Sequence, residues 1–295
     1  MLSIKPKDIA TGKFHGLLLS AVAPRPIAFA STIDEQGTPN LSPFSFFNVF
    51  GSNPPIAIFS PARRVRDNTT KHTLENVKHH PEVVINVVNY NMVQQASLAS
   101  TEYPKGVNEF VKSGFTPLAS ELVKPFRVKE SPVQLECKVK QIIETGTEGG
   151  AGNLIMCEIV LIHISENVLN EKGEIDQHKI DLVARLGGNW YSRNSGSALF
   201  EVSKPLTTLG VGVDAIPENI RYSHVLSGND LGKLGNVEQL PSNDEIEFFK
   251  ESAEYEQLNK EFKFSQEGDN AKHHAAKYLL SKDDNITAWK ILLSS

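Results

Sequence analysis

Up to about residue 200 the apolar positions recur at the spacing of strands rather than of helices. Pro24-Arg25-Pro26 is stiff and extended, because each proline fixes its own φ and biases its predecessor away from helix. Ile27 to Ile33 then reads as a strand of small and branched residues. Asp34-Glu35-Gln36-Gly37 is a turn with glycine where positive φ is easy, and Thr38 to Phe46 returns as a second strand. Pro43 interrupts it, which suits an edge or a bulge. A polar, phenylalanine-rich loop follows and stops at Asn53-Pro54-Pro55, before a short buried strand, Ile56 to Phe59. Val83 to Val88 has the β-branched density of a central strand. Val133–Glu144 and Leu154–Ser165 are two long strands flanking the glycine-rich loop Gly146–Gly152, the clearest hairpin signal in the chain. Lys179 to Ala184 is a last strand, leading into Arg185–Tyr191.

The helices between these strands are short connectors. One is expected around Lys7–Thr11, with Leu17-Leu18-Leu19 as an apolar approach to the first strand. Another runs from Lys71 to His79 with Leu74 and Val77 inward. A small-residue helix spans Asn91 to about Ser100, and a further one near Asn108–Lys112 closes at Gly114, a good left-handed terminator. Many strands with few helices predict an antiparallel barrel or sandwich, not a doubly wound parallel sheet. The pattern changes near residue 203. Lys204 to Pro241 reads as extended or irregular. Ser242 and Glu245 then form a capping box before Ile246, Phe249, Ala253 and Leu258, in a helix predicted to reach about Phe262. Two more helices are expected at Ala271–Ser281 and Ile286–Leu293. The organisation predicted is a domain over 1–203 and a C-terminal extension over 204–295, helical towards its end.

Composition narrows the classes. The net charge of −5 and the lack of a long basic run argue against nucleic acid as a partner. No run of about 18 apolar residues suggests a membrane span, and the N-terminal residues lack the apolar core of a signal peptide. The cytoplasm is therefore the expected compartment, with Cys137 and Cys157 as buried reduced thiols. Glycine clusters give no G-x-G-x-x-G between strand and helix, and there is no Walker A or G-x-S-x-G pattern. His79-His80 and His273-His274 are adjacent pairs that would point about 100° apart on a helix, so no metal site is expected.

Two segments carry candidate chemistry. Ser42, Ser45, Asn48 and Ser52 stand among Phe44, Phe46, Phe47 and Phe50, the mixture of apolar faces and edge donors that a flat heteroaromatic ligand needs. Taken alone, the stretch reads better as core phenylalanines and turn-forming serines. Lys71 and Thr73 open a helix, whose free N–H groups and positive dipole end suit a phosphate, and Ser60, Arg63 and Arg64 lie just upstream. The other reading is a capped surface helix with solvated cations. A ring site and an anion site so close in sequence point together to a mononucleotide.

At this point the chain resembles the flavin reductase-like family of FMN-binding split-barrel proteins, which includes the flavoredoxin-like flavoproteins. The residues that carry the resemblance are Arg25 to Thr32, Asn40 to Asn48, Asn53-Pro54-Pro55, Lys71 to Val77, Val84 to Val88, Ser131-Pro132-Val133 with Glu136-Cys137, and Arg185 to Gly188 with Tyr191. The resemblance implies a mainly β, Greek-key split β-barrel, a homodimer, and FMN as cofactor. It maps Ser42, Phe44, Ser45, Phe46 and Asn48 onto the segment lining the flavin ring and ribityl chain, with Arg25 beside them. It maps Ser60, Lys71 and Thr73 onto phosphate-contacting positions, to which the loop cation Arg63 is added, and leaves His72 facing substrate or partner, with Arg185 and Tyr191 read either in the same way or as a structural arginine and a barrel-closing tyrosine. Where the family often has Lys-Asp-Thr, this chain has Lys71-His72-Thr73, a change that does not weaken anion binding and helps it when His72 is protonated. The implied activity is hydride transfer from NAD(P)H to flavin N5, with no protein residue assigned as catalytic. The alternatives are an FMN-binding electron carrier without a nicotinamide site and a flavin-dependent oxygenase of a small organic substrate.

Overall fold

In the computed structural model, which describes residues 1–294, the chain enters through helix α1 (Thr11–Ala21) and then lays down a sheet. Its strands are β1 (Ala28–Ile33), β2 (Pro39–Phe44), β3 (Phe47–Ser52), β4 (Pro55–Phe59) and, after helix α2 (His72–His79), β5 (Glu82–Val87). Helices α3 (Val93–Leu98) and α4 (Glu109–Ser113) and the two-residue strands β6 (Pro117–Leu118) and β7 (Arg127–Val128) lead to β8 (Val133–Glu144) and β9 (Asn153–Ile164). Helix α5 (Gln177–Ile180) and the small hairpin of β10 (Val183–Arg185) and β11 (Tyr191–Arg193) complete this part of the chain. The seven-stranded sheet has the order β2-β1-β5-β8-β9-β4-β3, and every neighbouring pair is antiparallel.

That order has a geometric consequence. Strands β2 and β3 occupy opposite edges, yet only Ser45 and Phe46 separate them in sequence. Three residue steps span at most roughly 11 Å, so the sheet must curl until its edges nearly meet. The result is a mainly β barrel, open along the β2–β3 seam: the split barrel that the strand pattern and the family resemblance led us to expect.

Period-two alternation sorts the side chains of this sheet into two cores. Ala28 and Ala30 of β1 join Phe44, Phe59, Ile85, Leu135 and Ile155, and α2 adds Leu74 and Val77 to the same cluster. Phe29 faces the other way, into a second cluster with Leu41, Met92, Phe110 and Phe115 under α3 and α4. Strand β2 is an edge strand, as Pro43 suggested. Its Pro39 and Pro43 stand opposite Ile33 and Phe29, and between them the Leu41 N–H donates to Glu109 rather than to β1. These positions turn their backbone away from β1, where a proline sacrifices no ladder bond.

The glycine-rich hairpin loop positions the segment before α2. Arg63 N–H donates to the Ala151 carbonyl at 2.9 Å, Gly150 N–H to the Arg63 carbonyl at 3.0 Å, and Asn153 N–H to Ser60 Oγ at 3.0 Å. A Cβ at Gly149 would stand 3.1 Å from the carbonyl oxygens of both Arg64 and Val65. The close approach explains the glycine.

Four local expectations need correction. Leu17-Leu18-Leu19 is not an extended approach: it lies inside α1, and Pro6–Asp8 is only a 3-10 turn. Phe47–Ser52, read as loop, is a strand, because β4 offers it an edge to pair with. The segment Lys179–Ala184 divides between α5 and β10, with Asp181 between them at φ 51. The stretch 204–241 is not wholly irregular. It contains α6 (Glu218–Arg221) and α7 (Gly228–Gly235), the latter opened by a capping box of Ser227 and Asp230.

Two compact units divide the chain: Met1–Phe200, just described, and a second that begins at Glu201. The second is helical. After α6 and α7 come α8 (Asn243–Lys250), α9 (Ala253–Phe262), α10 (Phe264–Ser281) and α11 (Asn285–Leu293). The predicted capping box of Ser242 and Glu245 opens α8, and a Ser252 cap starts α9 where a single helix was expected. Its own core gathers Ile216, Ile220, Leu234, Phe249, Leu280 and Trp289, and the Trp289 indole N–H is satisfied by the Leu234 carbonyl at 3.0 Å. No described helix is long and apolar enough to cross a membrane.

Replacing Gly149 with alanine should push the loop of residues 60–70 off the hairpin and cost about 1–3 kcal/mol of stability. Thermal or urea unfolding of the full chain measures it; an unchanged midpoint would mean that the loop yields without cost.

Candidate functional site

A buried polar network fixes the start of α2 against β2. Thr73 Oγ1 donates to Asn40 Oδ1 at 2.8 Å, and Thr32 Oγ1 reaches the same oxygen at 3.4 Å. Asn76 Nδ2 donates to Thr32 Oγ1 at 3.0 Å. The other end of Asn40 donates to Glu109 Oε1 at 3.1 Å, while Glu109 Oε2 accepts the Leu41 N–H at 3.1 Å. Every member is buried. Burial pushes the Glu109 carboxyl above its usual range, against the pull of these donors and of nearby His72.

Beside this network lies a cleft lined by Asn40, Ser42, Lys71, His72, Thr73 and Glu109 together with Arg64 and the segment Ala99–Tyr103. Lys71 is the N-cap of α2 and makes no side-chain capping bond. The first N–H groups of a helix have no partner within it, so the start of α2 offers donors and a positive dipole end to the cleft. Three cations gather at its rim on one carboxylate. Arg64 Nε and Arg66 Nη2 each lie 2.7 Å from Glu102, and Lys71 Nζ lies 3.3 Å from it. Hydrogen bonds from Arg66, then Arg64, then Lys71 hold the Glu102 carboxyl down at about 2. Asp67 beside them is likewise held at about 2, chiefly by the Thr69 hydroxyl and N–H. Arg64 is also anchored to the Thr69 hydroxyl at 2.8 Å and the Thr70 carbonyl at 2.5 Å.

The structure brings together Ser42, Lys71, His72 and Thr73 from the residues singled out by sequence. The others stand elsewhere. Arg25 is buried, and its guanidinium donates to the carbonyls of Leu19, Val22 and Leu186, with Ser45 Oγ at 3.5 Å. It ties the end of α1 to the loop after β10. Arg25 also exchanges backbone hydrogen bonds with Arg185, whose guanidinium stacks 4.6 Å from the Tyr191 ring centre. Phe44 is inner core, 5.6 Å from Phe59 between ring centres. Phe46 and Asn48 are exposed at and just after the β2–β3 corner; Phe46 meets the His15 ring edge-on, and Asn48 Oδ1 accepts the Val49 N–H. Ser60 is buried, with its Oγ taken by Asn153, and Arg63 donates to Asn68 Oδ1 at 2.7 Å and to its carbonyl at 2.8 Å.

Sequence reasoning missed Glu102, Glu109, Arg66 and the structural part of Asn40. Glu109 sits in the first turn of a short helix capped by Asn108, an ordinary place for an acid. Nothing local marks Glu102, which reaches the cations only through the tertiary fold.

A split barrel with a cationic, donor-rich cleft beside its open seam defines a class of flavin-associated folds. Residues 20–181 match the family model described as "Flavin reductase like domain", and the chain belongs to the flavin reductase-like family, whose members bind flavin and are generally flavin oxidoreductases. It is 37% identical over 196 residues to an uncharacterised protein of Aquifex aeolicus (strain VF5), covering 66% of this chain and 97% of that one. Among solved structures it is similar to nitrilotriacetate monooxygenase component B from Bacillus cereus, with 28% identity and a TM-score of 0.64 over 68% of this chain and 98% of the other. It is also similar to a protein with a split barrel domain from Shewanella frigidimarina NCIMB 400, with 27% identity and a TM-score of 0.58 over 69% of this chain and 100% of the other.

The acid response of the cleft follows from its carboxylates. A carboxyl depressed in the folded state contributes stability above its unfolded pKa and loses it as pH falls through the folded value. The cation cluster should therefore hold from neutral pH through the ordinary carboxylate range and come apart only towards about 2. Carboxyl-carbon NMR of Glu102 tests this; a midpoint near 4.5, the value of a free glutamate, would show that the ion pairs do not persist in solution.

Proposed function

We propose that the chain is an FMN-binding oxidoreductase of the flavin reductase type, with NAD(P)H as the hydride donor. The observation that carries this is the convergence of Ser42, Lys71, His72, Thr73 and Arg64 on one cleft at the uncapped start of α2. The donor set fits a phosphate monoester: a helix N-terminus, a lysine, an arginine and hydroxyls, with buried anchors behind them. Membership of a flavin-binding family supports reading that phosphate as the end group of FMN.

The chemistry that bound FMN would supply is redox, with a nicotinamide as the source of hydride. The chain binds and orients. Lys71 and the first N–H groups of α2 hold the phosphate. Ser42 would face the ribityl chain, and the Ser45–Asn48 corner that follows β2 would face the ring. Backbone N–H groups there would stabilise negative charge on the reduced ring. Phe44 supports this corner from within the core, Phe46 covers it from outside, and Arg25 braces it through Ser45. Ser60 and Arg63 act by holding the loop that presents the cations. His72, Arg185 and Tyr191 are assigned to the substrate or partner side. The domain over 1–203 carries the activity, and 204–295 is an extension to it.

We read the exposed apolar residues Leu17 and Leu18 of α1, Val22 just after it, and Val49 and Phe50 of β3 as the surface that a second copy covers in a homodimer. The His15–Phe46 contact joins these two elements. The cytoplasm is the compartment that the buried, unpaired Cys137 and Cys157 fit.

Purified protein should bind FMN, and Lys71→Ala should weaken that binding about 10- to 100-fold, the worth of a charge-assisted hydrogen bond, while leaving riboflavin affinity alone. Equal FMN affinity in the variant would move the phosphate elsewhere. Anaerobic mixing of the flavin-loaded protein with NADH or NADPH should bleach the flavin absorbance; a response to neither would favour the electron-carrier reading.

A further inference from the structure

Glu102 has a position that the binding reading does not use. It is the one carboxylate on which Arg64, Arg66 and Lys71 converge, at 2.7, 2.7 and 3.3 Å, and it lines the same cleft as Ser42 and Thr73. Its side chain is 39% exposed, against 16% for Arg64 and 29% for Lys71. The carboxylate thus sits on the solvent side of Arg64 and Lys71, while Arg66, at 72%, is the most open of the three cations. Arg64 has fixed anchors besides Glu102, in Thr69 and Thr70. Arg66 has Asp67, which is in turn pinned by the Thr69 N–H and hydroxyl. The two arginines are therefore held in place by groups other than the one they share, while the ammonium of Lys71 meets Glu102.

We infer that Glu102 is a resident counter-ion standing in the seat of the ligand's phosphate, displaced when a phosphate monoester binds, and so a specificity-determining residue of this site. The inference rests on the binding reading above and names how its anion seat is gated. The charges decide the exchange. Three cations against Glu102 and Asp67 leave one positive charge in the cluster. Exchanging Glu102 for a solution monoanion gains no charge and competes with a tethered group at high effective concentration. Exchanging it for a phosphate dianion cancels the remaining charge. The seat is thereby kept closed to singly charged anions and opened by a phosphate monoester, at the cost of an apparent affinity reduced by the fraction of time that Glu102 is seated. Riboflavin, which has no phosphate, leaves Glu102 where it is.

The experiment compares the full chain with Glu102→Gln and Glu102→Ala, each checked for native circular dichroism. FMN, riboflavin and inorganic phosphate are titrated separately by calorimetry. Both variants should bind FMN and inorganic phosphate about tenfold more tightly than the parent, with riboflavin affinity unchanged. Unchanged or weaker binding of inorganic phosphate in the variants would overturn the inference, since Glu102 would then be positioning the cations rather than occupying their seat. Tighter FMN binding matched by equally tighter riboflavin binding would overturn it too, because the gain would not lie at the phosphate. If the parent and both variants bind neither flavin, while inorganic phosphate still binds more tightly to the variants, the flavin reading falls and the counter-ion role stands.

Discussion

The cleft depends on one buried side chain, Asn40. An amide offers both a carbonyl oxygen and N–H donors, and here each end is used: the oxygen accepts from Thr73 and Thr32, and the nitrogen donates to Glu109. Through these bonds β1, β2, α2 and α4 are locked at one point. A group removed from this network would leave its partners buried and unpaired, at about 1–3 kcal/mol each, so the arrangement is all or nothing. The same lock aims the first turn of α2 into the cleft. The position of Lys71 is therefore set by polar contacts beneath it as much as by the apolar packing of Leu74 and Val77.

Edge geometry supplies the second constraint. Strand β2 must lie at the border of the sheet, because Pro39 and Pro43 cannot donate to a further strand. An edge exposes backbone groups that invite pairing with another chain. This edge is closed in the middle by the Glu109 carboxylate on the Leu41 N–H. The carboxyl that braces Asn40 thus also blunts the edge, which accounts for an acid tolerated at such burial.

How much of this was legible in the sequence follows from the range of the interactions involved. The longer strands, the hairpin, the capping box of Ser242 and Glu245 and the Gly114 terminator are local patterns, and they were readable to within a few residues. Strand β3 was not, because Phe47–Ser52 has no alternation of its own; its residues are nearly all exposed and it exists by pairing with β4. Ser42, Lys71, His72 and Thr73 were found because a helix start after a polar strand is a local signal for an anion. Glu102 and Glu109 were not, because each works by reaching across from another element, 31 and 69 residues from Lys71 and Asn40 respectively.

The fate of the arginines separates structure from exchangeable chemistry. Arg25 donates to backbone carbonyls of α1 and of the loop after β10, and Arg63 to Asn68. Such partners belong to the fold, and withdrawing the guanidinium would cost these carbonyls a partner that holds two segments together. Arg64, Arg66 and Lys71 share a carboxylate on a solvent-facing side chain instead. An anion of higher charge can take that carboxylate's place without unpairing any backbone group. A cation held only by groups internal to the fold is committed to holding a loop; a cation that also meets a solvent-facing carboxylate is available to a ligand. By that criterion Arg25 and Arg63 build the cleft, while Lys71, and Arg64 and Arg66 through the donors they turn to Glu102, can receive what enters it.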